Sequence, residues 1–361
     1  MHSASLLSLA VAAPPHVLRQ RDVAAAASEH FGARYPDFER LARVFETTGI
    51  ITRRSVRPIE WFAQPRGWPE RTAVYLEGAQ ELFVEAAQAA LEASGVTAAE
   101  VDTVVTVSST GIATPSLEAR VFGRMGFRPD VARVPVFGLG CAGGVSGLSL
   151  AARLAEARPG TVVLFVCVEL CTLAFRLDQL TKANMVATAL FGDGAAACVL
   201  RGGADGGVPD GGVAAIEGGG ELLWPETLGI MGWDVEDPGL GVIFDRAIPP
   251  FVEENMAEAV ATIAAHANVA PGGIDRFTCH PGGAKVVAAL EGSLQLAEGA
   301  LDHERAVLRD NGNMSAPTVL FVLKRLLEAG FGGRTMLLAL GPGFTTTGLS
   351  LMVTQSSVRP E

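Results

Sequence analysis

Cys141 is the residue of this chain best placed by its neighbours to act as a nucleophile. It lies in Gly-Leu-Gly-Cys-Ala-Gly-Gly, where a predicted strand gives way to a predicted helix. A sharp strand-to-helix turn exposes a nucleophile, and the glycines allow a substrate to approach closely. The helix N-terminus should lower the pKa of the thiol below its usual value of about 8.5. The alternative is a buried structural cysteine.

His280 and Asn313 are the candidate partners of this cysteine. His280 ends a predicted strand and precedes Pro-Gly-Gly, and open α/β sheets place their sites at such strand ends. Asn313 lies in Asn-Gly-Asn-Met-Ser, shortly before a predicted helix. The alternatives are a hydrogen-bonded core histidine and a helix-capping asparagine. Each of the three residues is ambiguous when it is considered alone.

The other cysteines favour packing over chemistry. Cys167, Cys171 and Cys198 lie within apolar runs, where cysteine behaves as a small hydrophobic residue. The chain has five cysteines and no Cys-x-x-Cys pair, so neither a zinc site nor a redox motif is predicted. This cysteine usage is typical of a reduced, cytoplasmic protein.

Strand-like and helix-like segments alternate along the chain, as in α/β folds. Periodicity and composition predict strands at residues 5–11, 101–107, 131–137, 161–168, 195–200, 276–279, 335–340 and 349–353. They predict helices at residues 79–93, 117–125, 145–157, 251–266, 284–290 and 316–329. A glycine-rich stretch at 202–212 lacks a phosphate-loop pattern and indicates a linker. We therefore expect two α/β halves, 1–205 with the nucleophile and 206–361 with His280 and Asn313.

Composition excludes several classes of protein. Hydrophobic residues make up 49% of the chain and charged residues 19%, which is enough apolar material for a large core. The net charge of −11 argues against a nucleic-acid partner. No apolar run reaches the length of a membrane span, and the N-terminus lacks the positive start of a signal peptide. These features predict a cytoplasmic globular protein.

Five motifs together resemble one family, the type III polyketide synthases (chalcone and stilbene synthases). The resemblance covers nearly the whole chain, and the order and spacing of the motifs match. The motifs are Gly140-Cys141-Ala142-Gly143-Gly144, Leu190-Phe191-Gly192-Asp193-Gly194, His280-Pro281-Gly282-Gly283, Gly312-Asn313-Met314-Ser315 and Gly341-Pro342-Gly343.

The resemblance implies a thiolase-type αβαβα fold, a homodimer and a catalytic triad of Cys141, His280 and Asn313. It implies gatekeeper phenylalanines at Phe191 and, with poorer matching surroundings, at Phe244. It also assigns a set of residues to the substrate pocket: Thr110, Thr114, Ala174, Ser315, Gly341, Pro342 and Gly343.

The chemistry of these side chains agrees with the resemblance. A soft thiolate suits attack on a thioester, and His280 can hold that thiolate as an ion pair. Decarboxylation of malonyl-CoA develops an enolate, which neutral donors on His280 and Asn313 can stabilise. An apolar wall at Phe191 would favour loss of the malonyl carboxylate. The substrates are then acyl-CoA and malonyl-CoA, and no metal or redox cofactor is required.

Coenzyme A is polyanionic, so an acidic protein needs a local cationic entrance. The densest basic cluster is Arg53, Arg54 and Arg57, which falls where the family keeps basic residues near its pantetheine tunnel. A solvated surface turn is the alternative interpretation of this cluster.

Two pocket positions depart from the plant chalcone synthases. Ala174 replaces a threonine that narrows the cavity, and Thr114 replaces a methionine that reaches across the dimer. Both side chains are smaller, which predicts a roomier cavity and a long-chain fatty acyl starter. The closest match is then a bacterial alkylresorcinol or alkylpyrone synthase, although aromatic-starter and malonyl-only enzymes stay open.

Two other proteins share the expected fold. A β-ketoacyl synthase III performs one condensation, but its histidine lies in Pro-His-Gln-Ala-Asn rather than His-Pro-Gly-Gly. An inactive partner subunit typically lacks the nucleophile, whereas this chain keeps all three groups.

Overall fold

A computed structural model describes residues 3–34, 38–179, 181–203, 212–270 and 272–354 of the chain. Within these ranges the structure has thirteen strands and eleven α-helices. The strands are β1 (Ser3–Ala12), β2 (His16–Arg19), β3 (Thr52–Ser55), β4 (Thr103–Val107), β5 (Ala132–Val136), β6 (Val162–Leu170), β7 (Asp193–Gly203), β8 (Ala214–Leu223), β9 (Met231–Glu236), β10 (Gly239–Phe244), β11 (Arg276–Cys279), β12 (Gly333–Gly341) and β13 (Thr345–Val353). The helices are α1 (Gln20–Phe31), α2 (Phe38–Thr47), α3 (Trp68–Ser94), α4 (Leu117–Arg120), α5 (Phe122–Met125), α6 (Gly143–Glu156), α7 (Lys182–Leu190), α8 (Ile248–His266), α9 (Ala284–Ser293), α10 (Asp302–Asn311) and α11 (Thr318–Glu328).

Nine strands form one mixed sheet in the order β11-β12-β13-β8-β1-β7-β6-β4-β5. The two halves of the chain meet where β1 pairs antiparallel with β8, with Leu6 opposite Ala214. The parallel pairs β4–β5, β4–β6 and β11–β12 lie toward the two ends of the sheet. Strand β6 is buried along its whole length, as a strand covered on both faces should be.

Helices and sheet halves alternate as five layers. Helix α3 packs on β1, β6 and β7, and α8 and α9 pack against the β8 and β11–β13 side. Helices α6 and α11 lie between the two halves, in a core that includes Leu148, Leu320, Phe165 and Leu337. The αβαβα expectation is confirmed in this arrangement.

Most predicted elements lie within a few residues of the observed ones. The predicted helix 117–125 is instead two short helices, interrupted at Val121. The predicted boundary at 205/206 and most of the glycine-rich stretch lie outside the described residues. Within the described parts of the chain, no helix combines the length and the hydropathy that a membrane span needs.

Strand β8, in the middle of the nine-stranded sheet, was not predicted from the sequence. The other elements that sequence periodicity did not predict lie outside that sheet. Helices α1, α2 and α7 contact one another, and α7 contacts β10 of the two-stranded β9–β10 sheet. Strand β3 pairs with β2 and contacts α10. These elements supply most of the walls of the cavities described below.

Glycine at position 144 is required by the contact between the two central helices. A Cβ at Gly144 would overlap the carbonyl oxygen of Ala316 and lie 3.0 Å from Val319 Cγ1. We expect Gly144→Ala to lower the free energy of unfolding by roughly 1–3 kcal/mol, the cost of overpacking.

The matched control is Gly292→Ala in α9, where an added Cβ meets no atom within 4 Å. It should be neutral or stabilising, since alanine is favoured over glycine in helices. Chemical denaturation of both variants measures the difference, and equal stabilities would contradict the packing argument.

Candidate active site

Cys141 sits in a 3-10 turn, Gly140–Ala142, between β5 and α6. Gly138 and Gly140 have φ values of 92° and 48°, in the left-handed region that favours glycine. The backbone N–H groups of both glycines donate to the hydroxyl of Ser109, at 3.2 and 3.3 Å. A Cβ at Gly140 would lie 2.7 Å from Pro342 Cδ. The turn is therefore fixed on both sides, which holds Cys141 at the start of the helix.

Asn313 is held by backbone pairing with the segment after α7. Its N–H donates to Leu190 O at 2.8 Å, and its carbonyl accepts from the N–H of Gly192 at 3.0 Å. The side-chain Oδ1 accepts from the N–H of Ser315 at 2.8 Å, so Nδ2 is left as a donor. It donates at 3.2 Å to the carbonyl of Gly282, in the loop that follows His280.

The capping alternative for Asn313 is not supported by the structure. Helix α11 begins at Thr318, and its cap position is Pro317 without a side-chain cap. The amide of Asn313 instead orients a donor toward the site.

His280 follows β11 and is only 4% exposed. Its N–H donates to Leu338 O at 2.7 Å, which fixes the backbone. Both ring nitrogens are buried without a hydrogen-bond partner among the described residues. A histidine retained for core structure normally has its polar atoms satisfied, so this imidazole is available for a substrate.

Burial favours the uncharged forms of the Cys141 thiol and the His280 imidazole when each group titrates by itself. It raises the pKa of the Cys141 thiol to about 11, opposed by hydrogen bonds from Ser315 and Asn313. It lowers the pKa of His280 to about 4. The expectation that the helix N-terminus would lower the pKa of Cys141 below its usual value is therefore wrong for the thiol by itself, because desolvation of the thiolate outweighs the local donors. A thiolate at neutral pH requires a nearby proton acceptor.

Cys141 opens into a small central cavity of about 30 Å³. Its walls include Cys141, Phe191, Trp233, Phe244, Ser315 and Pro342. The Phe191 and Trp233 rings pack with centroids 5.8 Å apart. The two predicted gatekeepers thus lie on the walls of the cavity that contains the nucleophile.

A larger apolar cavity of about 440 Å³ lies against Phe191. Helix α1, the 3-10 turn Ile59–Ala63 and helix α7 form most of its wall. Apolar side chains such as Val23, Phe62 and Phe175 dominate its lining, and its exposed charged residues are acidic: Asp22, Glu29 and Glu60. This volume falls within the usual range for ligand cavities, about 300–1,000 Å³.

A third, cationic cavity of about 750 Å³ lies against Phe244. It is bounded by α2, α7, the start of α8 and residues 282–286. The described residues that line it include one acid, Asp245, and five exposed basic residues: Arg40, Arg43, Lys182, Arg246 and Lys285. The central cavity therefore shares Phe191 with the apolar cavity and Phe244 with the cationic one.

The remaining predicted pocket residues fall into two groups. Ser315 and Pro342 line the central cavity, and Gly341 packs on the Cys141 turn, where a Cβ would lie 2.6 Å from Ala142 Cβ. Thr110 bonds the buried Glu169 carboxylate at 2.7 Å, Thr114 is exposed and Ala174 is buried. Thr110, Thr114 and Ala174 do not line any of the three cavities. Gly343 follows Pro342 with a φ of 120°.

The prediction that Arg53 binds coenzyme A is wrong. Its side chain is buried, and its guanidinium donates to the carbonyls of Thr188, Ala189 and Phe191. Arg54 donates to Pro15 O, and Arg57 forms an ion pair with Glu77. The coenzyme A role of Arg54 and Arg57 stays a prediction.

Sequence analysis missed the β9–β10 hairpin, which supplies Met231, Trp233 and Val242 to the central cavity. A signal was present, since Pro238 and Gly239 separate two short apolar segments, a pattern typical of hairpins. No cluster of three or more potential metal ligands occurs among the described residues.

Comparison with known proteins agrees with this geometry. The family model for the N-terminal domain of chalcone and stilbene synthases matches residues 2–205, and the model for their C-terminal domain matches 220–355. A 1,3,6,8-tetrahydroxynaphthalene synthase from Streptomyces peucetius subsp. caesius is 39% identical, covering 94% of this chain and 90% of the relative. A putative chalcone synthase from Bacillus subtilis is 36% identical, covering 95% and 97%. The crystal structure of 1,3,6,8-tetrahydroxynaphthalene synthase from Streptomyces coelicolor superposes with a TM-score of 0.90 at 30% identity, covering 98% of this chain and all of that one.

The fold and the Cys141 site define a thiolase-type condensing enzyme. Within that class, the chain belongs to the type III polyketide synthase family, the chalcone and stilbene synthases. Members of this family are acyltransferases that use malonyl-CoA and other coenzyme A thioesters.

The pKa values of Cys141 and His280 predict how the thiol reacts with an alkylating agent. Proton transfer from Cys141 to His280 leaves the net charge of the site unchanged, so wild-type alkylation should vary little between about pH 6 and 9. In His280→Gln the thiol must ionise by itself, and its alkylation rate should rise about tenfold per pH unit toward its raised pKa.

Mass spectrometry of the Cys141 peptide measures the rates, and Cys141→Ala sets the background. The other four cysteines are buried and should contribute little. Superimposable pH profiles for wild type and His280→Gln would exclude His280 as the proton acceptor.

Proposed function

We propose that Cys141, His280 and Asn313 carry out loading and decarboxylative condensation. The thiol of Cys141 transfers its proton to His280, and the sulfur attacks the acyl-CoA carbonyl. The new sulfur–carbon bond replaces the bond to coenzyme A, which leaves as the thiol with the proton from His280. The observations that support these roles are the Asn313 amide, whose Nδ2 donates to the Gly282 carbonyl in the loop that follows His280, and the His280 imidazole, whose nitrogens have no partner among the described residues.

Condensation follows from the same groups. Malonyl-CoA loses carbon dioxide to give an enolate, whose oxygen accepts hydrogen bonds from Asn313 Nδ2 and a neutral His280. The enolate carbon attacks the acyl group on Cys141, a carbon–carbon bond forms and the cysteine sulfur leaves. Burial keeps His280 neutral at physiological pH because it lowers the pKa to about 4, so the ring can donate without carrying a charge.

The starter in this proposal is a long-chain fatty acyl group, and the product is an alkylresorcinol or alkylpyrone. The observation that supports this starter is the apolar cavity of about 440 Å³, which is separated from the Cys141 cavity by Phe191. Rotation of one aromatic side chain would join them. Each buried methylene contributes about 0.8 kcal/mol to binding, so a chain that fills this cavity is strongly preferred.

Charge assigns the two large cavities to different parts of the substrate. Five cations around the cationic cavity suit the phosphates of coenzyme A. The acidic rim of the apolar cavity would repel those phosphates, while its lining suits an alkyl chain. Coenzyme A therefore enters past Phe244 and the acyl chain extends past Phe191.

A second candidate is a malonyl-only enzyme that makes a small polyhydroxylated aromatic product. Three relatives named 1,3,6,8-tetrahydroxynaphthalene synthase cover most of this chain. The central cavity of about 30 Å³ is also too small for a bulky starter unless Phe191 or Trp233 moves.

We also propose a homodimer that works in the cytoplasm. Strand β5 is the edge of the nine-stranded sheet and is largely exposed. Phe137 and Ile112, beside it, are 61% and 58% exposed, and such apolar residues near an open sheet edge favour an interface. The five free cysteines support a reducing compartment.

The starter proposal predicts a length-dependent effect of filling the apolar cavity. Ala26 lies on α1 and lines this cavity. Ala26→Leu should lower kcat/KM for long-chain starters by about tenfold or more, since the added carbons displace buried methylenes of the substrate. Short starters and malonyl-CoA decarboxylation should be nearly unaffected.

Ala24→Leu is the matched control, because Ala24 is a half-buried residue of the same helix outside the cavity lining. The measurement is kcat/KM over a graded series of acyl-CoAs with mass analysis of products. Equal length profiles would reject the apolar cavity as the acyl site, and activity with malonyl-CoA alone would favour the second candidate.

The cationic cavity predicts where coenzyme A binds. Lys182→Glu combined with Lys285→Glu should raise KM for malonyl-CoA by about tenfold at low salt, with a smaller effect at high salt because of screening. The control is Arg54→Glu with Arg57→Glu, outside this cavity. If the control pair raises KM and the lysine pair does not, the entrance lies at the basic cluster near β3.

A further inference from the structure

Arg53 makes a set of contacts that neither substrate binding nor the catalytic residues explain. It lies in β3 opposite Leu18, and its side chain is 2% exposed. Its guanidinium donates to Thr188 O at 2.6 Å, Ala189 O at 3.1 Å and Phe191 O at 3.2 Å. These carbonyls belong to the last turn of α7 and the residue after it. The C-terminal carbonyls of a helix lack partners within the helix, and a cation there is favoured.

The same short segment carries the proposed gate and the proposed enolate donor. Phe191 ends α7, and the residues on either side of it pair with the backbone of Asn313. Arg53 thus contacts the Phe191 backbone directly and reaches Asn313 through residues 190–192.

The backbone is closely packed around the Cβ of Arg53. A Cβ at Gly192 would lie 3.3 Å from Arg53 Cβ, and one at Gly312 would lie 3.4 Å from it. Strand β3, the segment after α7 and the loop before Asn313 are therefore in van der Waals contact around Arg53. The structure leaves no room at positions 192 and 312 for a residue larger than glycine.

The buried charge of Arg53 is compensated within the same cluster. The Asp193 carboxylate accepts from the N–H and the hydroxyl of Thr172 at 2.8 and 2.7 Å, and from the N–H of Val56 at 2.9 Å. Burial lowers the pKa of the Arg53 guanidinium to about 9, and the negative charge of Asp193 opposes this effect because it stabilises the charged form of Arg53. The arginine is therefore a charged, fixed clamp at physiological pH.

We propose that Arg53 is a positioning residue for condensation, because its buried guanidinium holds the backbone segment that places Phe191 and Asn313 at Cys141. This inference rests on the proposed roles of those two residues. A planar guanidinium can bond several carbonyls at once, whereas a lysine ammonium is a compact point charge on a flexible stem. Loss of the clamp should displace the donor amide, and a shift of about 1 Å near reacting groups can cost about 100-fold in rate.

The test compares Arg53→Lys and Arg53→Met for malonyl-CoA decarboxylation and for the starter-length profile. We expect Arg53→Met to lower kcat for decarboxylation by about 10- to 100-fold, with KM changed less than about twofold and no dependence on salt. Arg53→Lys should recover part of kcat. Both variants should also broaden the starter-length profile, because Phe191 is less firmly held.

The matched control is Arg334→Met, which removes a partly buried arginine that bonds Glu217 and the Gly273 carbonyl, away from the site. It should lower stability without changing kcat per folded molecule or the profile. If Arg53→Met does not fold, Arg53→Lys carries the test, since it keeps the charge.

Two results would overturn the inference. A raised, salt-dependent KM with unchanged kcat would show that Arg53 binds coenzyme A, and a loss of activity that follows only the folded fraction would show a purely structural role. Asn313→Ala tests the proposed function separately. If it keeps wild-type decarboxylation, the role of Asn313 fails, whatever the Arg53 variants show.

Discussion

The site depends on the backbone pairing between residues 190–192 and Asn313. This pairing joins the end of α7, from the N-terminal half, to the loop before α11, from the C-terminal half. It places the Phe191 ring on one wall of the Cys141 cavity and the Asn313 amide beside the loop of His280. Two hydrogen bonds of 2.8 and 3.0 Å thus align groups that are more than 120 residues apart in the sequence. Catalysis requires such alignment because proximity supplies a large share of the rate enhancement.

Desolvation is the second constraint on the site. It raises the pKa of the thiol and lowers that of the imidazole, so neither group gains a charge independently near neutral pH. In the proposed mechanism the thiolate forms together with an imidazolium, and a neutral imidazole is restored once coenzyme A takes the proton. One buried histidine can in this way serve loading as a base and decarboxylation as a neutral donor.

The sequence predicted the layers better than the cavities. Continuous apolar runs such as residues 161–168 and periodic helices such as 79–93 were evident, because burial on a sheet or in a helix layer imposes a period. Strand β8, helices α1, α2 and α7 and the β9–β10 hairpin were not predicted, although apolar residues of α1, α2 and α7 pack into a core cluster of their own. The catalytic candidates came from motifs, whose glycines reflect real steric limits at Gly140 and Gly192. A cluster of arginines in the sequence does not reveal which of them are exposed, and Arg53 was therefore wrongly predicted to bind coenzyme A.

Ala174 illustrates the same limit. Its small side chain predicted extra space, yet the structure places the space beside its neighbours Cys171, Thr172 and Phe175. A side chain's size is visible in the sequence, but the direction in which Ala174 points at the end of the 3-10 turn Cys171–Ala174 depends on tertiary packing.

In the proposed function, the Phe191 ring separates the Cys141 cavity from the apolar cavity that receives the starter. The most direct measurement is a crystal structure of the enzyme with a dodecanoyl group on Cys141, prepared from dodecanoyl-CoA without malonyl-CoA. We expect the Phe191 ring to be rotated and the alkyl chain to lie between α1 and α7 in the apolar cavity. A chain that leaves past Phe244, or folds beside Trp233 with Phe191 unmoved, would contradict it.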